Sequence, residues 1–125
     1  MADLKKVLVV EDNKEFTWIL KESFANKGFL MFFADDGEKG LKTAENEKPD
    51  LILLDILLPK MDGITMAKKL REKGVDSYII FLTNLKDTEH IGQAVAEMKD
   101  TDYFIKSDLH VDQIITKVKE KLGIN

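Results

Sequence analysis

Five polar residues stand at the ends of apolar runs, and their types suit phosphate chemistry. Asp55 is the clearest case, because it follows the apolar residues 51–54 in the stretch LILLDILLPKMDG. Burial of an unpaired carboxylate costs several kcal/mol or forces the group to take up a proton. We therefore expect Asp55 to lie where a strand emerges from the core. The other four residues are Glu11, Asp12, Thr83 and Lys106.

Each of these residues has an ordinary explanation when it is taken singly. Asp12 could cap a helix, and Asp55 could be a turn residue. Thr83 suits the end of a strand, and Lys106 could be a solvated surface lysine. Their common position argues for more, because an open parallel α/β sheet binds its ligands outside the carboxyl ends of its strands.

A doubly wound sheet that extends both ways from its first strand brings the first and third strands together, so Glu11, Asp12 and Asp55 should converge. Like charges about 4 Å apart repel by about 1 kcal/mol in water and about 4 kcal/mol at intermediate dielectric. Mg²⁺ compensates such charges and leaves coordination positions for a phosphate. Lys106 and Thr83 offer a cation and a hydroxyl donor to phosphoryl oxygens. We predict a phosphoryl group on Asp55, since carboxylates can act as phosphoryl acceptors.

The elements that position these residues alternate along the chain. Five short runs, KVLVV, FLMFFA, LILLD, YIIFLT and YFIK, have the nearly continuous apolar pattern of strands covered on both faces. The segments between them have helical spacing. In the first segment the apolar stripe comprises Phe16, Ile19, Leu20 and Phe24. This alternation predicts an α/β fold with a parallel sheet and helices on both faces. Asn13 or Asp12 is placed to cap the first helix.

Composition limits the remaining possibilities. The 125 residues suit one domain over residues 1–125, with 44% hydrophobic and 34% charged residues. A net charge of -4 argues against nucleic acid as a partner. No stretch approaches the roughly 18 apolar residues of a membrane span, so we expect a cytoplasmic protein without membrane contact. The absence of cysteine rules out thiol chemistry, and the presence of only two histidines argues against a histidine-rich zinc site.

The motifs together resemble the receiver domain of bacterial two-component response regulators. They are the pair ED after VLVV, the block LILLDILLPKMDG, Thr83 after an apolar strand, and Lys106 in DYFIKSD. The resemblance covers essentially the whole chain. It implies a flavodoxin-like, doubly wound, five-stranded parallel sheet in the order 2-1-3-4-5, with five helices.

The resemblance also implies roles for the acidic residues. Asp55 would accept phosphate from the phosphohistidine of a sensor histidine kinase or a histidine phosphotransfer protein. Glu11 and Asp12 would bind Mg²⁺ together with Asp55 and the backbone carbonyl of Leu57. Such a domain is no enzyme beyond catalysing its own phosphorylation and dephosphorylation. Gly63 matches the tight turn after the phosphoacceptor, where we expect a positive φ.

A switch follows from the same resemblance. Thr83 and Lys106 would bind the phosphoryl group, and Tyr103 corresponds to the family's switch aromatic, which rotates as Thr83 moves. The surface of helix four, strand five and helix five would then change its preference for a downstream protein target, which the sequence leaves unknown. We expect the kinase to dock on the first helix, which bears Trp18.

Some positions depart from the family pattern. Ser107 replaces a proline that is commonly joined to the lysine by a cis peptide, and a cis bond to serine would cost about 2.5–4 kcal/mol. The loop after Lys106 is therefore expected to be trans or strained. Asn84 is bulkier than the small residue common there and could narrow access to the phosphoacceptor. Leu57 and Leu85 cannot orient water, which predicts slow loss of the phosphoryl group.

Three other functions compete with this interpretation. A phosphatase of the haloacid dehalogenase type needs a second aspartate two residues after the first, where this chain has Leu57. A flavin or nucleotide module could share the sheet, but neither GxGxxG nor GxxxxGK[ST] is present. A receiver-like module that binds proteins without being phosphorylated is the more serious alternative. Its expected signature is a missing acid, threonine or lysine, and all of these are present.

Overall fold

The predicted α/β architecture is confirmed in the computed structural model, which describes residues 4–84, 88–108 and 110–124, with the side chains of 88–91 and 108 left out. The described strands are β1 (Lys5–Val10), β2 (Phe29–Ala34), β3 (Leu51–Asp55), β4 (Tyr78–Thr83) and β5 (Thr101–Ile105). The described α-helices are α1 (Lys14–Phe24), α2 (Gly37–Glu47), α3 (Gly63–Glu72), α4 (Thr88–Glu97) and α5 (Val111–Leu122). The strands form one parallel sheet in the order β2-β1-β3-β4-β5, as predicted.

Apolar residues form a core on each face of the sheet. Alternate residues of β1 point to opposite faces, so Leu8 packs with the layer of α2 and α3, whereas Val9 packs with the layer of α1 and α5. The central strands β1, β3 and β4 are almost wholly buried, which accounts for their unbroken apolar runs. The edge strands β2 and β5 are only half-buried, but each contacts the core on both faces of the sheet, through Phe32 and Phe33 in β2 and through Tyr103 and Phe104 in β5.

The first three helices begin with side-chain caps just beyond the carboxyl ends of strands. Asn13 Oδ1 accepts the N–H of Phe16 at 3.0 Å, and Asp36 and Asp62 cap α2 and α3 in the same way. Such caps satisfy N–H groups that have no partner within the helix. The sequence left Asn13 and Asp12 open as caps of α1. Because Asn13 is the cap, Asp12 remains available at the sheet edge. In α1 the predicted apolar stripe holds except at Ile19, which is exposed.

Gly63 corrects a prediction about the turn after Asp55. Among described glycines, positive φ occurs at Gly28, Gly74 and Gly123, and not at Gly63. The positive φ in this turn belongs to Lys60, at 68°. Gly63 instead meets a need for close approach, because a Cβ there would lie 2.2 Å from the carbonyl oxygen of Asp55. Its N–H donates to the carbonyl of Ile56 at 2.8 Å, which holds α3 against the end of β3.

The Gly63→Ala variant should therefore unfold more easily than the parent, by about 2 kcal/mol, since the added methyl group forces the backbone of Asp55 to move. Urea denaturation measures this change. Gly92→Ala is the matched control, because a Cβ at this position in α4 would meet no described atom within 4 Å apart from those of its chain neighbours and of the helix's own backbone. The control should be at least as stable as the parent. Equal stability of Gly63→Ala and the parent would contradict the close approach.

Candidate functional site

The ends of β1 and β3 bring three acidic side chains together. Val10 pairs with Leu54 across the two strands, so Glu11 and Asp55 each follow a paired residue. One carboxylate oxygen from each of Glu11, Asp12 and Asp55 lies within 4.8 Å of the other two. Glu11 and Asp55 are only 2% and 6% exposed, whereas Asp12 is exposed. Two carboxylates of the cluster are thus buried at the sheet edge, and the third is exposed to solvent.

Lys106 closes the cluster from β5's side of the sheet. Its ammonium pairs with Glu11 and lies 3.1 Å from Asp55 Oδ2, and its side chain is 11% exposed. Burial raises the pKa of Glu11, and the neighbouring Asp55 adds to this effect, while Lys106 opposes it. The three carboxylates of the cluster outnumber the single Lys106 ammonium, so the site has surplus negative charge when all four groups are ionised. A further cation would therefore be attracted.

Backbone N–H groups fix the orientation of the two buried carboxylates. Leu57 N–H donates to Asp55 Oδ1 at 3.2 Å, and Asn13 N–H donates to Glu11 Oε2 at 3.1 Å. Each carboxylate therefore accepts one backbone bond and one bond from the Lys106 ammonium. The role of the Leu57 carbonyl as a metal ligand stays a prediction.

The oxygen donors of the cluster fit Mg²⁺. Two oxygens bound to the same Mg²⁺ lie at most about 4.2 Å apart, because each bond is about 2.1 Å long. Three ligands cannot all be opposite one another, and neighbouring octahedral ligands lie about 3.0 Å apart, so carboxylate oxygens of Glu11, Asp12 and Asp55 that lie within 4.8 Å of one another would move by up to about 2 Å. Hard carboxylate oxygens are the ligands that this ion prefers.

Thr83 and Tyr103 lie on the neighbouring strands, as predicted, although their roles stay predictions. Leu82 pairs with Asp55 across β3 and β4, and Thr83 is the next residue, fully buried at the same sheet edge. Tyr103 is half-buried on β5 and packs on the layer of α2 and α3.

The segment around Lys106 differs in detail from the predicted strand YFIK. β5 starts at Thr101, whose hydroxyl donates to the carbonyl of Val95, and it ends at Ile105. Residues 106–108 then form a single 3₁₀ turn. The described residues contain no cis peptide, so the bond between Lys106 and Ser107 is trans. A trans bond is the first of the two outcomes expected from serine at this position.

A cavity of about 270 Å³ lies beside Lys106, and its lining also includes Asn84, Phe16 and Ser107. Asn84 is exposed at the rim of this cavity. Its effect on access to Asp55 stays a prediction. Leu85 lies outside the described residues. Phe16 is a residue that the sequence did not indicate as part of the site. Its apolar, helical spacing marked it only as a core residue, yet its ring lies beside Lys106.

Comparisons with known proteins place this geometry in a family. A family model described as the response regulator receiver domain matches residues 7–119. The chain is 42% identical over 102 residues to the alkaline phosphatase synthesis transcriptional regulatory protein PhoP of Bacillus subtilis, with 82% of this chain and 42% of PhoP covered. It is 33% identical to the transcriptional regulatory protein DltR of Streptococcus agalactiae, with 91% of this chain and 50% of DltR covered. The chain thus spans about half the length of these curated relatives.

A solved structure gives the same result. The receiver domain of the Francisella response regulator 1452 has a TM-score of 0.84 and 30% identity, covering 94% of this chain and 95% of that domain. No helix among the described residues combines the length and apolar character needed to cross a bilayer.

Proposed function

This chain belongs to the response regulator receiver family, and from that premise we propose that Asp55 is its phosphoacceptor in a two-component signalling pathway. The donor would be the phosphohistidine of a sensor histidine kinase or a histidine phosphotransfer protein. The observation that carries the proposal is the convergence of Glu11, Asp12 and Asp55, of which Glu11 and Asp55 pair with the Lys106 ammonium. Acids alone would suggest only a cation site, whereas a lysine paired with two of them also suits an incoming phosphoryl group.

In the proposed transfer, a carboxylate oxygen of Asp55 attacks phosphorus. The new O–P bond forms as the P–N bond to the donor histidine breaks, and the bonding electron pair returns to the imidazole. Glu11, Asp12 and Asp55 would hold Mg²⁺, which would supply positive charge to neutralise the phosphoryl oxygens. The Leu57 N–H keeps the carboxylate in a fixed plane through its bond to Oδ1. Lys106 would leave Asp55 Oδ2 for a phosphoryl oxygen, and the Thr83 hydroxyl would donate to another.

Intact mass spectrometry tests this proposal without a kinase. The protein is incubated with phosphoramidate and Mg²⁺, and in parallel with phosphoramidate and a chelator. We expect the gain of one phosphoryl group with Mg²⁺ and no gain with the chelator, because Glu11, Asp12 and Asp55 are the proposed ligands. An unmodified mass in both samples would overturn the proposal and favour a receiver-like binding module that works without phosphate. An equal gain of phosphoryl group in both samples would show that the transfer does not need Mg²⁺.

The rest of the proposal follows from the family. Residues 1–125 act as one receiver domain that works in the cytoplasm, contacts neither nucleic acid nor membrane itself, and catalyses only its own phosphorylation and dephosphorylation.

Lys106 directly follows β5, so its movement toward phosphate would shift the end of β5 and the turn that leads to α5. With Thr83 and Tyr103, this movement would switch the surface of α4, β5 and α5 for a downstream target. Since the curated relatives are named as transcriptional regulators, we propose transcription as the output.

Replacing Leu57 by asparagine should shorten the lifetime of the phosphorylated protein by about tenfold, because an amide at this position can orient water toward the phosphoryl group and leucine cannot. Leu57 is 58% exposed, so the new side chain would be in contact with solvent. Intact mass is followed over time after the donor is removed, with Leu57→Met as the apolar control. An unchanged lifetime in Leu57→Asn would remove this explanation.

We place kinase docking along α1, around Trp18, which is 63% exposed. Trp18 lines a groove of about 640 Å³ whose lining includes both lysines and the acids Glu11, Asp12 and Asp35. Among its lysines, Lys14, Lys21 and Lys42 have no ion pair within 4.0 Å in the described part of the chain. An exposed tryptophan among unpaired cations suits a partner that offers an apolar pocket with acidic residues around it.

The Trp18→Ala variant should therefore accept phosphate about tenfold more slowly from a phosphorylated sensor kinase that serves the parent, and at the parent's rate from phosphoramidate. Comparison of the two donors separates docking from chemistry. Leu30→Ala is the control, because Leu30 is also exposed but lies on β2. An equal loss of rate with both donors, or an unchanged rate with the kinase, would contradict docking at Trp18.

A further inference from the structure

We propose that Phe16 is a positioning residue for Lys106, whose ammonium it holds beside Asp55 while the phosphoryl group is transferred. The inference rests on the proposed function. Its starting observation is the position of the Lys106 Nζ, 4.8 Å from the centroid of the Phe16 ring. A cation at this distance from an aromatic face is attracted by the negative charge density of the ring.

The surroundings of Lys106 make this contact important. The side chain is 11% exposed, so its ammonium has lost most of its hydration. Its described partners are two carboxylates, those of Glu11 and Asp55, and the face of Phe16. A cation–π contact strengthens when water is excluded, so this ring should contribute more than an exposed one.

The site itself fixes the position of Phe16. Glu11 Oε2 accepts the N–H of Asn13, and Asn13 Oδ1 accepts the N–H of Phe16. Two hydrogen bonds therefore connect a residue of the acid cluster to the residue that carries the ring. Phe16 lies in the first turn of α1, and its ring faces the 3₁₀ turn that starts at Lys106.

The ring has a property that the carboxylates lack. In the proposed reaction, Glu11 and Asp55 would bind Mg²⁺, and Asp55 would also bond to phosphorus. Lys106 would therefore give up its bonds to both carboxylates. The Phe16 face carries no formal charge and has no such second role. It can stay in contact with the ammonium while Lys106 exchanges its carboxylate partners for a phosphoryl oxygen, and it does not compete strongly with that oxygen. A leucine of similar bulk would fill the same space without attracting the cation.

A double-mutant cycle tests the inference, with the rate of phosphoryl uptake from phosphoramidate and Mg²⁺ as the readout. Phe16→Leu should slow uptake about 5- to 30-fold in the parent and leave it unchanged in a Lys106→Met background, because the ring acts through the ammonium. Phe16→Tyr keeps the aromatic face and should restore most of the rate. Phe29→Leu is the matched control, since Phe29 is also half-buried but is the first residue of β2, at the opposite end of that strand from the sheet edge that carries the acid cluster.

A second measurement does not depend on activity. In the parent, the ring current of Phe16 should shift the NMR signals of the Lys106 ε-methylene protons upfield, and Phe16→Leu should remove this shift in a folded protein. Uptake by Phe16→Leu at the parent's rate, or an equal loss in the Lys106→Met background, would overturn the inference. A parent that takes up no phosphoryl group would instead overturn the proposed function, and with it any role of Phe16 in transfer, even if the NMR shift shows the contact.

Discussion

The Asp55→Asn variant should gain no phosphoryl group from phosphoramidate and Mg²⁺ under conditions in which the parent gains one. An amide is a poor nucleophile, and the exchange leaves the size of the side chain almost unchanged. Of the other two acids in the cluster, Glu11 is buried and paired with Lys106, and Asp12 is exposed. Neither has the bond from the Leu57 N–H that orients Asp55 in the turn after β3.

Asp76→Asn is the matched control for this experiment, because Asp76 is an exposed aspartate outside the acid cluster. It should take up phosphate as the parent does. Intact mass after equal incubation gives the result for all three proteins. Gain of a full phosphoryl group by Asp55→Asn would show that another residue is the acceptor.

Replacing Lys106 by methionine should have two opposite effects. Phosphoryl uptake should slow by about 100-fold, since a cation aimed at developing charge is typically worth that much. Mg²⁺ should bind about tenfold more tightly, because the ammonium that now pairs with Glu11 and Asp55 no longer competes for their oxygens. A lysine that served only to stabilise the fold would not produce this combination.

Rates of uptake by mass spectrometry and Mg²⁺ affinity by calorimetry measure the two effects separately. Lys117→Met is a suitable control, because Lys117 also pairs with an aspartate, Asp102, which does not belong to the acid cluster. Weaker Mg²⁺ binding by Lys106→Met, or an unchanged rate of uptake, would contradict the role assigned to this lysine.

The sequence predicted the parts of the fold and site that depend on periodicity and on strand ends. Unbroken apolar runs marked the central strands, because both faces of these strands are covered. Polar residues after those runs had to meet at one edge, since parallel strands share the direction of their carboxyl ends. The strand order itself came from the family resemblance, because apolar runs do not specify which strands are neighbours.

Details that depend on a single close contact were not predictable. Gly63 was expected to need a positive φ, but the constraint is a backbone oxygen 2.2 Å from where its Cβ would lie. That oxygen belongs to Asp55, eight positions earlier, and no local pattern reveals it. The contact between Phe16 and Lys106 likewise joins distant parts of the chain. Edge strands also keep the apolar composition of central ones, so their partial exposure at β2 and β5 was missed.

The most direct test of the proposed site is to locate the phosphoryl group on the chain. The protein is phosphorylated with phosphoramidate and Mg²⁺ and reduced with borohydride, which converts an aspartyl phosphate to homoserine, and its peptides are then sequenced by mass spectrometry. We predict homoserine at position 55 and at no other aspartate. Homoserine at position 12 or elsewhere, or phosphate retained on a histidine, would contradict the assignment.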